Sequence, residues 1–152
     1  MKTMAMCVLA AVSISLSSKD PNTTMGPRHE ARDARVAITS RDGSTMLLLM
    51  NDIVAVQLTN RALSDVESKK ADTSFLEEIL AAGVRVAVGK SVEYPIAHLS
   101  AVEYRAGALR ILSDEKKPVF EELKVNGKDV LRDFSSADAM RFVNAFRNRA
   151  TR

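Results

Sequence analysis

Tryptophan is absent, and there are only five phenylalanines and two tyrosines. Proteins that stack single-stranded bases rely on aromatic platforms, so this scarcity argues against a nucleic-acid partner. The charges give the same answer. Lys and Arg number 22 and Asp and Glu 19, for a net charge of +3. They are mixed along the chain instead of gathered into a basic face. There is one cysteine, Cys7, which excludes an intrachain disulfide framework. The two histidines, His29 and His98, stand far apart. H-E-x-x-H and C-x-x-C do not occur, so the common zinc spacings are missing. G-x-S-x-G is absent, and Gly83, Gly89 and Gly107 do not form a phosphate-cradling loop. No apolar run is long enough to span a bilayer, so no transmembrane helix is expected. No catalytic, metal or cofactor-binding residue is therefore expected, and a non-enzymatic protein is favoured over an enzyme. The adjacent acids Glu77-Glu78, Asp114-Glu115 and Glu121-Glu122 diverge on a strand or fan out on a helix, and read as solvated charge.

What is present is a chain of 152 residues, 46% hydrophobic and 27% charged, enough for one domain with a core. Its last third is the most legible part. AVEYR at 101–105 and ALRIL at 108–112 alternate apolar and polar residues, the period of a half-buried strand. Ala106-Gly107 between them predicts a tight hairpin. A second hairpin is predicted with arms Val119–Val125 and Asp129–Phe134 around Asn126-Gly127, the favoured pair for a type I′ turn. The period then changes. Ala139, Phe142, Val143, Phe146 and Ala150 fall on one face of a helix. Ser135 is placed to cap it, with Asp138 as capping-box partner. Arg147, Arg149 and Arg152 gather at its C-terminal end, where the helix dipole favours cations.

The N-terminal part divides differently. Residues 1–17 have the outline of a signal peptide: one lysine, an apolar run, and small residues at Ser15 and Ser17. Cys7 lacks a lipobox before it. Residues 18–34 are polar, hold two of the prolines, and read as a linker. Residues 35–152 read as a single α+β domain. RVAITS and STMLLLM form a predicted hairpin around Arg41-Asp42-Gly43, and IVAVQL a third strand. Leu47, Leu48 and Leu49 are apolar on both faces, which predicts a strand covered on both sides. A helical insert is expected at about 60–83. Its amphipathic half, with Phe75, Leu76, Ile79 and Leu80, begins at a second capping-box match, Ser74 with Glu77. Residues 84–88 (VRVAV) fit a helix or a strand equally well.

The runs YPIAHLSAVEYRAGALRIL, VLRDFSSADAMRFVNAF and IVAVQLTNRAL resemble those of bacterial pleckstrin-homology-like domains, the GRAM group included. The resemblance covers about residues 35–149. It implies a bent antiparallel sheet or partly open barrel closed by a C-terminal amphipathic helix. The insert at about 60–83 departs from that pattern. So does the first hairpin, where lipid-binding members carry a basic cluster and this chain has Arg41-Asp42-Gly43. The fold hosts many functions.

The function expected is a non-enzymatic binding or scaffold module that meets a protein or an anionic membrane surface. The second reading is a small extracytoplasmic ligand-binding protein or enzyme with a cleft beside the insert. The interaction surface is expected at Phe75, Leu76, Ile79, Leu80, Arg141, Arg147 and Arg149. Cleavage of the leader would place the protein outside the cytoplasm, in the periplasm or secreted. Without cleavage it would be cytoplasmic.

Overall fold

The computed structural model describes residues 20–68, 90–121, 123–125 and 128–149. The leader, the amphipathic half of the insert with Phe75, Leu76, Ile79 and Leu80, the stretch 84–88 and the Asn126-Gly127 turn lie outside the described residues.

The fold is α+β: antiparallel sheets of five and three strands and a C-terminal helix, with no closed barrel among the described residues. The first sheet contains β1 (Thr24–Pro27), β2 (Val36–Thr39), β3 (Thr45–Leu49), β4 (Ile53–Leu58) and β5 (Lys90–Pro95), in the order β1-β5-β4-β3-β2. Register puts Met25, Val92, Val56, Leu47 and Ile38 in one row across all five strands. Tyr94, Val54, Leu49 and Val36 make a second row on the same face. Both rows enter the core, as the two-residue side-chain period requires. Leu48 and Ala55, on the opposite face, are also fully buried, so β3 is covered on both sides as its three leucines predict.

Pro95 and a 3-10 turn at Ile96–His98 lead from β5 into the second sheet. That sheet is β6 (Leu99–Arg105), β7 (Ala108–Ser113) and β8 (Pro118–Val119), in chain order. Val102, Ile111 and Val119 pair across it and are buried against the first sheet's inner rows. The β6–β7 hairpin turns on two residues. Ala106 and Gly107 both have positive φ, 53° and 76°, with Arg105 opposite Ala108. This is the type I′ pattern, here with alanine in a position that normally favours asparagine or glycine.

The C-terminal helix, α2 (Ser136–Asn148), follows α1 (Asn60–Ser68), the described part of the insert. Thr59 caps α1 by accepting the Ala62 N–H at 3.1 Å. Ser135 caps α2 by accepting the Asp138 N–H at 3.2 Å. The Asp138 carboxylate turns to Arg141 at 3.2 Å. Ala139, Phe142, Val143 and Phe146 are buried, as their spacing predicts. The helix packs on β2, an edge of the first sheet, and on β6, an edge of the second. It therefore closes one of the two seams between the sheets.

Two expectations change. The stretch 18–34 is not simply a linker: Thr24–Pro27 is an edge strand bonded to β5. Four residues show little alternation, and their order comes from the neighbour's backbone. Pro27 is tolerated because it lies at the end of an edge strand. The second hairpin is also much shorter than predicted. Its pairs are Val125 with Lys128 and Lys124 with Asp129, in β9 (Lys124–Val125) and β10 (Lys128–Asp129). On one side Val119 joins β7 instead, and Phe120, with φ at +64°, breaks the extended chain. On the other, Val130–Arg132 is a 3-10 turn.

Candidate functional site

Among the described residues the second seam, between β5 and β8, is open. A groove of about 420 Å³ runs along it. One wall is Asp20–Thr23, just ahead of β1. The other is the β7–β8 turn and the chain around Glu121. Val92 and Tyr94 of β5 meet Val119, Phe120 and Leu123 at its floor. These residues come together because alternation in β5 turns Val92 and Tyr94 inward while Ser91 and Glu93 face out.

Tyr94 is the centre of the floor. Its ring meets that of Phe120 edge-on, with centroids 6.4 Å apart and an interplanar angle of 83°. Its hydroxyl donates to Asp20 Oδ2 at 2.8 Å. Burial is the main cause that pushes its phenol up to about 12, and the Asp20 carboxylate adds to it. Asp20 is fixed from a second side, since its Oδ1 accepts the Asn22 N–H at 3.0 Å.

Phe120 reaches Tyr94 only through an uncommon backbone. A bulky residue at φ +64° is strained. Lys116, in the turn before β8, has φ +65°. Two of the three described non-glycine residues with positive φ thus flank β8, beside the groove.

The rim carries charge. Asp114, Glu115 and Glu121 line it opposite Asp20, with Lys117 as the one lysine among the described residues. Lys117 pairs with Glu115 at 2.9 Å. His98 is half exposed and lies 3.4 Å from Asp114 Oδ2, a surface histidine in a turn.

His29, assigned to the linker from sequence, belongs to a polar lattice on the outer face of the first sheet. Its Nε2 lies 2.5 Å from Glu93 Oε1. The Ser91 hydroxyl donates to the same Glu93 oxygen at 2.7 Å. His29 N–H donates to Gln57 Oε1 at 2.9 Å, and Gln57 Nε2 donates to the His29 carbonyl at 2.8 Å. Ser, His and Glu are all present, but the carboxylate sits between the other two and Ser91 is fully buried. A nucleophilic triad needs the imidazole in the middle and an accessible hydroxyl. The lattice fastens the N-terminal segment. Arg28 adds to it, donating to the Leu58 carbonyl at 2.7 Å and to Asn60 Oδ1 at 2.9 Å.

The arginines expected at an interaction surface are placed on α2, away from the groove. Arg141 donates to the Ala37 carbonyl of β2 at 3.0 Å. The Arg149 guanidinium lies 3.6 Å from the centroid of the Phe146 ring and donates to the Phe146 carbonyl at 2.7 Å. Arg147 is exposed. The first hairpin is likewise engaged within the fold: Arg41 N–H donates to the Asp133 carbonyl at 2.7 Å, and its guanidinium lies 3.8 Å from the Asp133 carboxylate.

Nothing in the local sequence marks Asp20, Tyr94, Phe120 or Leu123 as a group. The alternation of SVEY shows that Tyr94 faces inward, but no local signal shows that Phe120 or Asp20 meets it.

In comparisons with known proteins no family model matches the chain, and no curated protein or solved structure matches it. No helix among the described residues is long and apolar enough to cross a membrane.

Proposed function

We propose that this protein is a non-enzymatic binding module on a pleckstrin-homology-like frame, and that it takes a short polypeptide segment in the groove between β5 and β8. The groove is the observation that carries this reading: an apolar floor between two polar walls, beside a strained aromatic residue. Strain of this kind clusters where proteins bind ligands. The frame is supported by the succession of β2 to β5 as antiparallel neighbours, the β6–β8 meander and the helix across one seam.

A polypeptide is favoured over an anionic membrane surface. Arg141 and Arg149 are committed to backbone carbonyls and Arg41 to Asp133, while the groove rim is rich in carboxylates. Cleavage of the leader and an extracytoplasmic location belong to the same proposal, and the intact mass of the protein from its host tests them. A second reading, a small-molecule site, draws on the groove's volume, which lies within the range of such sites. The groove borders the N-terminal segment; α1 does not line it.

The test is selection of random displayed short peptides on the full chain, followed by amide chemical-shift mapping. Enriched peptides should shift Val92, Tyr94 and Phe120, and Leu123→Asp should abolish binding while the fold persists. Peptides that map elsewhere, or binding only to phosphatidylglycerol vesicles, would overturn the reading.

A further inference from the structure

We infer that the segment taken by this groove is cationic, with an apolar anchor between its basic residues; this rests on the polypeptide-binding reading above. Among the described residues the lining offers four carboxylates, Asp20, Asp114, Glu115 and Glu121, against a single lysine, although the whole chain carries +3. The lysine is already paired with Glu115. The groove is thus a negative strip on a protein that is positive on balance. Low-dielectric walls focus such a field into the cleft and raise the local concentration of cations.

The two walls differ in kind. Asp20 is held by the Tyr94 hydroxyl and the Asn22 N–H, so its charge is fixed beside the floor. Asp114 and Glu115 have side chains 56% and 70% exposed. A cation meeting them loses little hydration, and the contact gives selectivity and speed of association more than affinity. Affinity must come from the apolar lining open to a ligand, at Pro21, Pro118 and Leu123, which an aliphatic or aromatic side chain can cover, since Tyr94 and Phe120 beneath are only 1% and 7% exposed. The occupant that satisfies both parts has an apolar residue with Lys or Arg on either side. An acidic peptide would face like charge on both walls.

The test uses the full chain and three fluorescent peptides that share one apolar anchor, flanked by lysine, serine or glutamate. Anisotropy should give the lysine peptide an affinity about tenfold above the glutamate peptide. That margin should shrink as salt rises. Asp114→Lys combined with Glu121→Lys should reverse the order, with thermal unfolding recorded to show that the variant folds. If that pair fails to fold, Glu115→Lys with Glu121→Gln serves in its place and should erase the lysine advantage. Equal binding of all three peptides at the groove would overturn the cationic inference and leave the polypeptide reading intact. Peptides that leave the groove amides unmoved would overturn that reading, and this inference with it.

Discussion

The imidazole Nε2 of His29 lies 2.5 Å from Oε1 of Glu93, and this contact ties a polar N-terminal stretch to the middle of the chain. Gly26 makes the contact geometrically feasible. It sits opposite Ser91 in the β1–β5 ladder, and a Cβ there would collide with the Glu93 carboxylate. The missing side chain is the space in which Glu93 meets both Ser91 and His29.

Gly26→Ala should therefore destabilise the fold by about 1–3 kcal/mol, because Glu93 can move aside only by leaving two partners in a half-buried site. Denaturant melts should show a lower midpoint at unchanged slope. Combined with Glu93→Ala, the loss should be smaller than the sum of the single changes. Strict additivity would mean that the collision has no consequence.

Removal of residues 1–34 should weaken the domain severely, contrary to what a linker would do. It deletes β1, the Arg28 bonds to Leu58 and Asn60, the His29 lattice and the Asp20 contact to Tyr94. It would also exchange both bonds between the Gln57 side chain and the His29 backbone for bonds to water. Each net intramolecular hydrogen bond lost in this way costs about 0.5–1.5 kcal/mol. Thermal unfolding of chains beginning at Asp20 and at Arg35 should differ sharply. Equal midpoints would contradict this account.

On α2, Phe146→Ala should cost about 3–5 kcal/mol, from lost transfer energy plus the cavity left behind. Phe146 is 3% exposed at the core. Arg149→Ala should cost about 0.5–1 kcal/mol, since it removes a guanidinium stacked on that ring. In the Phe146→Ala background the Arg149 substitution should cost less, since the ring is gone and only the bond to the residue-146 carbonyl remains to be lost. Urea melts of the two single variants and the double variant decide it.

Stability should fall at both extremes of pH. Burial alone would raise the Asp42 carboxyl, but bonds from Ser40 and Ser44 and the Lys128 charge bring it down to about 2. Its folded value lies below the unfolded one, so its contribution is present above pH 3.8 and is lost as pH falls through about 2. Tyr94 behaves oppositely. Its folded value of about 12 exceeds the ordinary 10.0, so its contribution is full below pH 10.0 and is lost as pH rises through about 12. Unfolding free energy measured against pH should lose its acid limb in part in Asp42→Asn and its alkaline limb in Tyr94→Phe. An unchanged alkaline limb in Tyr94→Phe would refute the assignment.

Much of the frame was legible because its signals are local. Alternation in AVEYR and ALRIL gave β6 and β7, and Ala106-Gly107 gave their turn. The Phe142-Val143-Phe146 stripe gave the buried face of α2, and Ser135 its cap. Each depends on residues within a few positions of one another, where side-chain period and backbone preference act directly.

The candidate site was not legible, because its parts meet only after folding. Asp20 and Tyr94 are 74 positions apart, and His29 and Glu93 are 64 apart. The edge strand Thr24–Pro27 has almost no pattern of its own and becomes a strand because β5 offers it unpaired backbone groups. Phe120 sits in a run that reads as continuous strand, yet its φ of +64° ends that strand and turns its ring onto Tyr94. The sequence by itself determined which segments alternate, which face of the last helix is apolar, and where most turns fall. The tertiary structure alone decided which seam the helix closes and which it leaves open, since strand edges are joined by backbone hydrogen bonds that carry no side-chain signature.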